Sequence, residues 1–156
     1  MLMKLAPKRP RSMRKFYFSI GATLVILLLG RYFSLMAQER RAVQQAQFVE
    51  DLLQMNSLLP RQVDAVTTLK KIELIYGDTF VYRYRVDLAS SSLPWERRAK
   101  MQDRAQVKLE ALACKEPKVL DAMRRFGFRQ WHQYVGDDDG TLFYIDLYPA
   151  KLNCST

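Results

Sequence analysis

The sequence predicts an α+β fold, with an N-terminal transmembrane helix followed by a small antiparallel sheet that carries helices packed on one face and one disulfide. Three observations predict it. An uncharged apolar run from Phe16 to Gly30 follows a basic tail. Two later segments alternate apolar and polar residues with the period of a strand, and two further segments read as strands. The only two cysteines, Cys114 and Cys154, both stand in the C-terminal part.

The 156 residues leave room for one modest domain and its appendages. A hydrophobic share of 49% is ordinary for a globular chain and excludes global disorder. The net charge of +9 would suit nucleic acid, but its distribution points elsewhere. Lys4, Lys8, Arg9, Arg11, Arg14 and Lys15 crowd residues 1–15 without a single acid, and Arg31 is the seventh basic residue. Taking those seven from the 25 basic residues leaves 18 against 16 acids. The excess sits in the tail, beside an apolar run. That is a topology signal, and no nucleic-acid partner is expected.

Phe16 to Gly30 covers about 23 Å as a helix, short of the roughly 30 Å hydrocarbon core. Continuing through Arg31 to Ala37 brings the length to about 33 Å, with Arg31 near the exit side where its stem can reach the interface. Phe16, Tyr17, Tyr32 and Phe33 flank the run as interfacial aromatics do. The expected organisation is therefore a basic cytoplasmic tail at 1–15, a transmembrane anchor contacting membrane lipid at 16–37, a membrane-proximal helix at 38–59 and a periplasmic α+β domain at 60–156. This places the chain in a bacterial inner membrane as a single-pass signal-anchor protein, its N-terminus cytoplasmic and its C-terminal domain periplasmic. A cleaved signal peptide is the alternative. Cuts after Ala37 or Gly30 would put Leu35 or Leu28 where a small residue is needed. No cysteine precedes Cys114, so there is no lipoprotein box.

Gln38 to Leu59 has helical spacing, with Ala42, Ala46, Val49 and Leu53 on one stripe and Val43, Phe48 and Leu52 beside it. Pro60 ends it. Ile72, Leu74 and Tyr76 form one alternating strand, and Phe80, Tyr82, Tyr84, Val86 and Leu88 a second, joined at Gly77-Asp78 by a tight hairpin. Ser92 and Pro94 open a helix to about Ala113, with Ala105, Leu109 and Leu112 inward. Glu116-Pro117 starts a shorter helix with Val119, Leu120 and Met123, stopped at Gly127. Phe128 to Val135 and Leu142 to Tyr148 are two further strands around Gly136 to Gly140. An even cysteine count in an oxidising compartment favours a Cys114–Cys154 disulfide.

No residue pattern indicates catalysis, and neither a metal nor another cofactor is expected. His132 is the sole histidine and lacks a nucleophile at any recognisable spacing. Asp137, Asp138 and Asp139 are consecutive, where a calcium loop alternates its acids, so a polar hairpin turn explains them. Arg97, Lys100, Arg104 and Lys108 form a basic stripe at helical spacing. It reads as a solvated face or as a docking face for an acidic partner or lipid head groups. Tyr82 and Tyr84 read as core or as groove lining. The candidate partner-binding residues are thus Tyr82, Tyr84, Arg97, Arg104 and Lys108.

Leu59-Pro60, Val63-Asp64, Tyr82-Arg83-Tyr84, Cys114, Gly127, Tyr134, Asp139-Gly140 and Cys154 form a skeleton over residues 58–156. It resembles small bacterial envelope proteins and is similar to the disulfide-bonded pilotins of type II secretion systems. The resemblance implies a fold with a groove able to hold a partner's helix, and no catalytic residues. The expected function is non-enzymatic binding of another envelope protein, in secretion or pilus assembly. The alternative is a periplasmic immunity or inhibitor protein that blocks a toxin or enzyme, for which the Gly136 to Gly140 loop is the candidate plug.

Overall fold

A computed structural model describes residues 13–154, with side chains from residue 23 onward. Helix α1 (Met13–Gln54) runs into a 3-10 turn at Met55–Leu58, and strands β1 (Arg61–Gln62), β2 (Thr67–Ile75) and β3 (Thr79–Val86) follow. A 3-10 turn at Ser90–Ser92 leads to helices α2 (Trp95–Lys115) and α3 (Pro117–Phe126), strands β4 (Arg129–Val135) and β5 (Thr141–Leu147), and a last 3-10 turn at Pro149–Lys151. The chain divides into two units, Met1–Gln44 and Gln45–Thr156, so α1 contributes its last turns to the second.

The expected transmembrane anchor over residues 16–37 is overturned, because no helix among the described residues is long and apolar enough to cross a membrane. The charges explain this. Arg31 ends the uncharged run that begins at Phe16 after fifteen residues, and Glu39, Arg40 and Arg41 follow. A span needs about 20 consecutive, predominantly apolar residues. The single-pass inner-membrane location rested on that anchor and falls with it. So do the signal-anchor reading and the cytoplasmic and periplasmic sides assigned to the two ends. Residues 1–12, most of the expected basic tail, lie outside the described residues.

In the second unit the five strands lie in the order β1-β2-β3-β4-β5. The sheet is not wholly antiparallel as expected. β3 and β4 pair parallel, from Thr79 opposite Arg129 to Arg85 opposite Val135, and the other neighbours are antiparallel. The physical reason is the pair of helices between β3 and β4, which forms the long crossover a parallel pair requires. Turn chemistry sets the hairpins. Tyr76 and Gly77 hold φ of 53° and 76°, the positive pair that a tight β2–β3 turn demands. Gly127 ends α3 at φ 75°, and the Phe128 amide reaches back to the Met123 carbonyl at 2.9 Å. α2 starts later than expected, because the Ser92 hydroxyl bonds the Ala89 carbonyl and Pro94 stands before the first turn.

The helices pack on one face of the sheet, as its alternation predicts. Ile72, Phe80 and Phe128 meet Met123 of α3 and Leu52 of α1, with Phe48 and Val49 around them. Tyr84, Val86, Tyr134, Phe143 and Ile145 meet Met101, Ala105 and Leu109 of α2. Phe80 and Met123 are fully buried, each contributing roughly 1.5–3 kcal/mol. Asn56 covers an open stretch of β2: its amide group bonds both the N–H and the C=O of Ile72 at 2.8 Å. The opposite face carries Glu73 paired with Lys71 and Arg83, each at 2.7 Å.

Cys114 and Cys154 are bonded, with 5.5 Å between their Cα atoms. The link ties the end of α2 to the last residues of the chain. Arg124 holds the same segment by donating to the carbonyls of Pro149 at 2.9 Å and Leu152 at 2.6 Å.

Candidate functional site

A groove of about 260 Å³ lies between α2 and the segment joining β1 to β2. Met101, Ala105, Leu109 and Leu112 supply its α2 wall, and Val63, Val66 and Thr67 the opposite one. Tyr84, Val86, Tyr134 and Phe143 make the floor. The wall residues Val63, Val66 and Leu112 keep 43%, 41% and 45% of their surfaces exposed, so the groove opens to solvent as an apolar slot.

Period-two alternation places the floor residues on the helix-facing side of three adjacent strands. Their rings stack. Tyr84 lies 4.6 Å from Tyr134 at 10° between planes, and Tyr134 lies 4.6 Å from Phe143 at 27°. Burial pushes the Tyr84 phenol well above its ordinary range, and burial followed by the Asp64 charge pushes Tyr134 up to about 12. The floor is therefore uncharged and largely apolar.

His132 and Tyr82 lie beneath, outside the groove lining. The imidazole stacks on Tyr82 at 4.7 Å. Its Nδ1 is 3.1 Å from the Tyr84 hydroxyl and its Nε2 is 3.1 Å from Gln130 Oε1. Gln130 Nε2 donates to Met123 Sδ, so Oε1 is left to accept, which assigns the His132 proton to Nε2 and makes Nδ1 the acceptor for Tyr84. Burial pushes the imidazole down to about 3 and the Tyr82 phenol up to about 12. His132 is a neutral core residue that orients Tyr84.

Three charged residues line the groove: Arg104 and Lys108 from α2, and Asp64 from the opposite rim. Lys108 Nζ and Asp64 Oδ2 stand 3.9 Å apart across the mouth. Asp64 Oδ1 also accepts from the Val66 amide at 3.1 Å. Partial burial raises the Asp64 carboxyl, but the Thr67 hydroxyl, the Val66 amide and Lys108 together outweigh it and hold the group below its ordinary range.

Of the candidates read from the sequence, Tyr84, Arg104 and Lys108 come together here. Tyr82 is deeper in the core, and Arg97 stands outside the lining. Sequence reasoning missed Asp64, Val66, Met101 and Phe143 as groove residues. For Asp64 a signal was present in the Val63-Asp64 pair after Leu59-Pro60. The Gly136 to Gly140 turn, the candidate plug, is tied to the segment that follows β3. The Asp138 carboxylate accepts from the amides of Ser90 and Ser91 and from the Ser90 hydroxyl, at 2.9, 3.1 and 2.9 Å, which holds it well below the usual carboxylate range. Arg85 binds the Asp137 carbonyl at 2.8 Å from the neighbouring strand.

No family model matches the chain, and no curated protein matches it in sequence. Solved structures do match in shape. A Pseudomonas aeruginosa protein classed provisionally as secreted superposes with a TM-score of 0.56 at 12% identity, over 72% of this chain and 96% of that one. The pilotin EpsS of the Vibrio vulnificus type 2 secretion system superposes with a TM-score of 0.53 at 8% identity, over 76% of this chain and 97% of that one. At these identities the likeness is one of fold. The chain has a pilotin-like fold, as the sequence resemblance implied.

Proposed function

We propose that residues 45–154 form a partner-binding module with a secretion-related role, holding an apolar segment of another envelope protein in the groove beneath α2. The observation that carries this reading is the open apolar slot floored by Tyr84, Tyr134 and Phe143, on a fold that a secretion pilotin also uses. Burying an amphipathic segment there removes apolar surface on both sides from water, the driving force of helix-in-groove recognition. The module is read as a binder and not as an enzyme. The one histidine is neutral, buried and bonded at both ring nitrogens, so it is not poised to take a proton from a substrate.

Site-directed photocrosslinking in native cells tests the reading. A crosslinker at Met101 or Leu112 should give one discrete adduct containing a secretion component, and a crosslinker at Tyr144 on the opposite sheet face should not. Ala105→Trp, which fills the slot, should abolish the adduct made from Leu112. Identical adducts from both faces, or an adduct indifferent to Ala105→Trp, would refute it.

A further inference from the structure

The apolar reading leaves the charges of the groove unused. Arg104 and Lys108 stand one helical turn apart on α2 and face a single lining acid, Asp64. The Lys108–Asp64 pair is long at 3.9 Å, and its side chains are 57% and 42% exposed, so it is weak and open to exchange. Arg104 makes no ion pair among the described residues. Arg97 and Lys100 continue the basic stripe toward the start of α2. The rim therefore has an excess of positive charge, and one of its two cations is held by a carboxylate of the chain itself. The volume adds a further limit. About 260 Å³ lies below the roughly 300–1,000 Å³ of pockets that enclose a whole small molecule, and suits a few side chains of a docked segment.

We infer that the occupant is an acidic amphipathic segment of a partner protein, whose carboxylates replace Asp64 on Lys108 and meet Arg104. This inference rests on the groove reading above and names the chemistry of its ligand. A segment covering the rim strips water from both cations, a cost that only opposite charge offsets. Asp64 acts as an internal placeholder. The Val66 amide fixes it at the mouth, where it keeps Lys108 paired in the empty groove and competes with a weaker acidic ligand.

The test uses the full chain and a designed amphipathic peptide of about fourteen residues, with leucines at i, i+3 and i+4 spacing. Three versions carry Glu, Gln or Lys at the flanking positions, and fluorescence anisotropy measures their affinities. The expected order is Glu, then Gln, then Lys, with steps of about two- to fivefold per charge that shrink as salt rises. Asp64→Asn keeps an acceptor for the Val66 amide and should tighten the Glu peptide by about two- to fivefold while leaving the Gln peptide nearly unchanged. Arg104→Glu with Lys108→Glu should reverse the order. Equal binding of the three peptides, or no effect of Asp64→Asn, overturns the acidic-ligand inference and leaves the apolar groove standing. Binding of none of the three overturns both.

Discussion

Acidification from pH 7.5 to 5 should destabilise the domain chiefly through His132. The group is the only histidine in the chain, so no other imidazole confuses the result. In the folded state burial pushes it down to about 3 from an ordinary 6.5. Between those values the unfolded chain binds a proton that the folded chain refuses. Stability is then complete above pH 6.5 and is lost as pH falls from there toward 3. At pH 5 the solution is 1.5 units below the unfolded value, and at about 1.4 kcal/mol per unit the loss is about 2 kcal/mol. Asp64, Glu73 and Asp138 are also held below their ordinary values, but those start at 3.8 or 4.5, so their contribution is lost mainly below pH 5. Urea unfolding followed by tryptophan fluorescence at pH 7.5, 6 and 5 reads the slope. His132→Gln should be less stable throughout, since Tyr84 and Tyr82 lose a stacked ring, yet nearly flat between pH 7.5 and 5. A wild-type chain as stable at pH 5 as at 7.5 would refute the reasoning, because the imidazole would then be hydrated or paired with a carboxylate.

Two further outcomes follow from the same contacts. Replacing Cys114 and Cys154 together by Ala should cost about 4 kcal/mol, read as a lower urea midpoint, because the bond closes a loop across a separation of 40 residues; an unchanged midpoint would mean that Arg124 and the core hold the terminus unaided. Asp138→Asn should speed hydrogen exchange at the Ser90 and Ser91 amides, since Asn offers one acceptor oxygen where the carboxylate offers two; unchanged exchange would show that the turn is held by other bonds.

Much of the second unit was legible before its structure. The alternation through Phe80, Tyr82, Tyr84 and Val86 marks a half-buried strand whatever its neighbours, and Gly127 marks a helix end because α3 stops at a positive φ. Tyr84, Arg104 and Lys108 were singled out as candidates for a similar reason: aromatic residues at strand period and cations at helical spacing show in the chain. The parallel β3–β4 pairing was legible only in part. Two intervening helices allow a crossover, but four strands of this length satisfy the same pattern in an antiparallel sheet. Asp64 carries no periodic signal, and Met101, in step with Ala105 and Leu109, shows an apolar stripe but not the groove it borders. Their importance lies in what faces them from another element.

The apolar run was over-read for a physical reason. Its hydrophobicity is real, but a membrane span depends on unbroken length, and Arg31 with the Glu39-Arg40-Arg41 cluster interrupts it. By itself the sequence determined what is local: which segments form helices and strands, which face of each is apolar, where turns need a positive φ, and which cysteines were there to bond. The tertiary structure alone decided the order and direction of the strands, the stacking of Tyr84, Tyr134 and Phe143 into one floor, and the meeting of Asp64 with Lys108 over it. Local pattern records how a residue suits its own element. A groove is made between elements, and its shape and charge exist only once burial of the shared core has fixed which surfaces face each other.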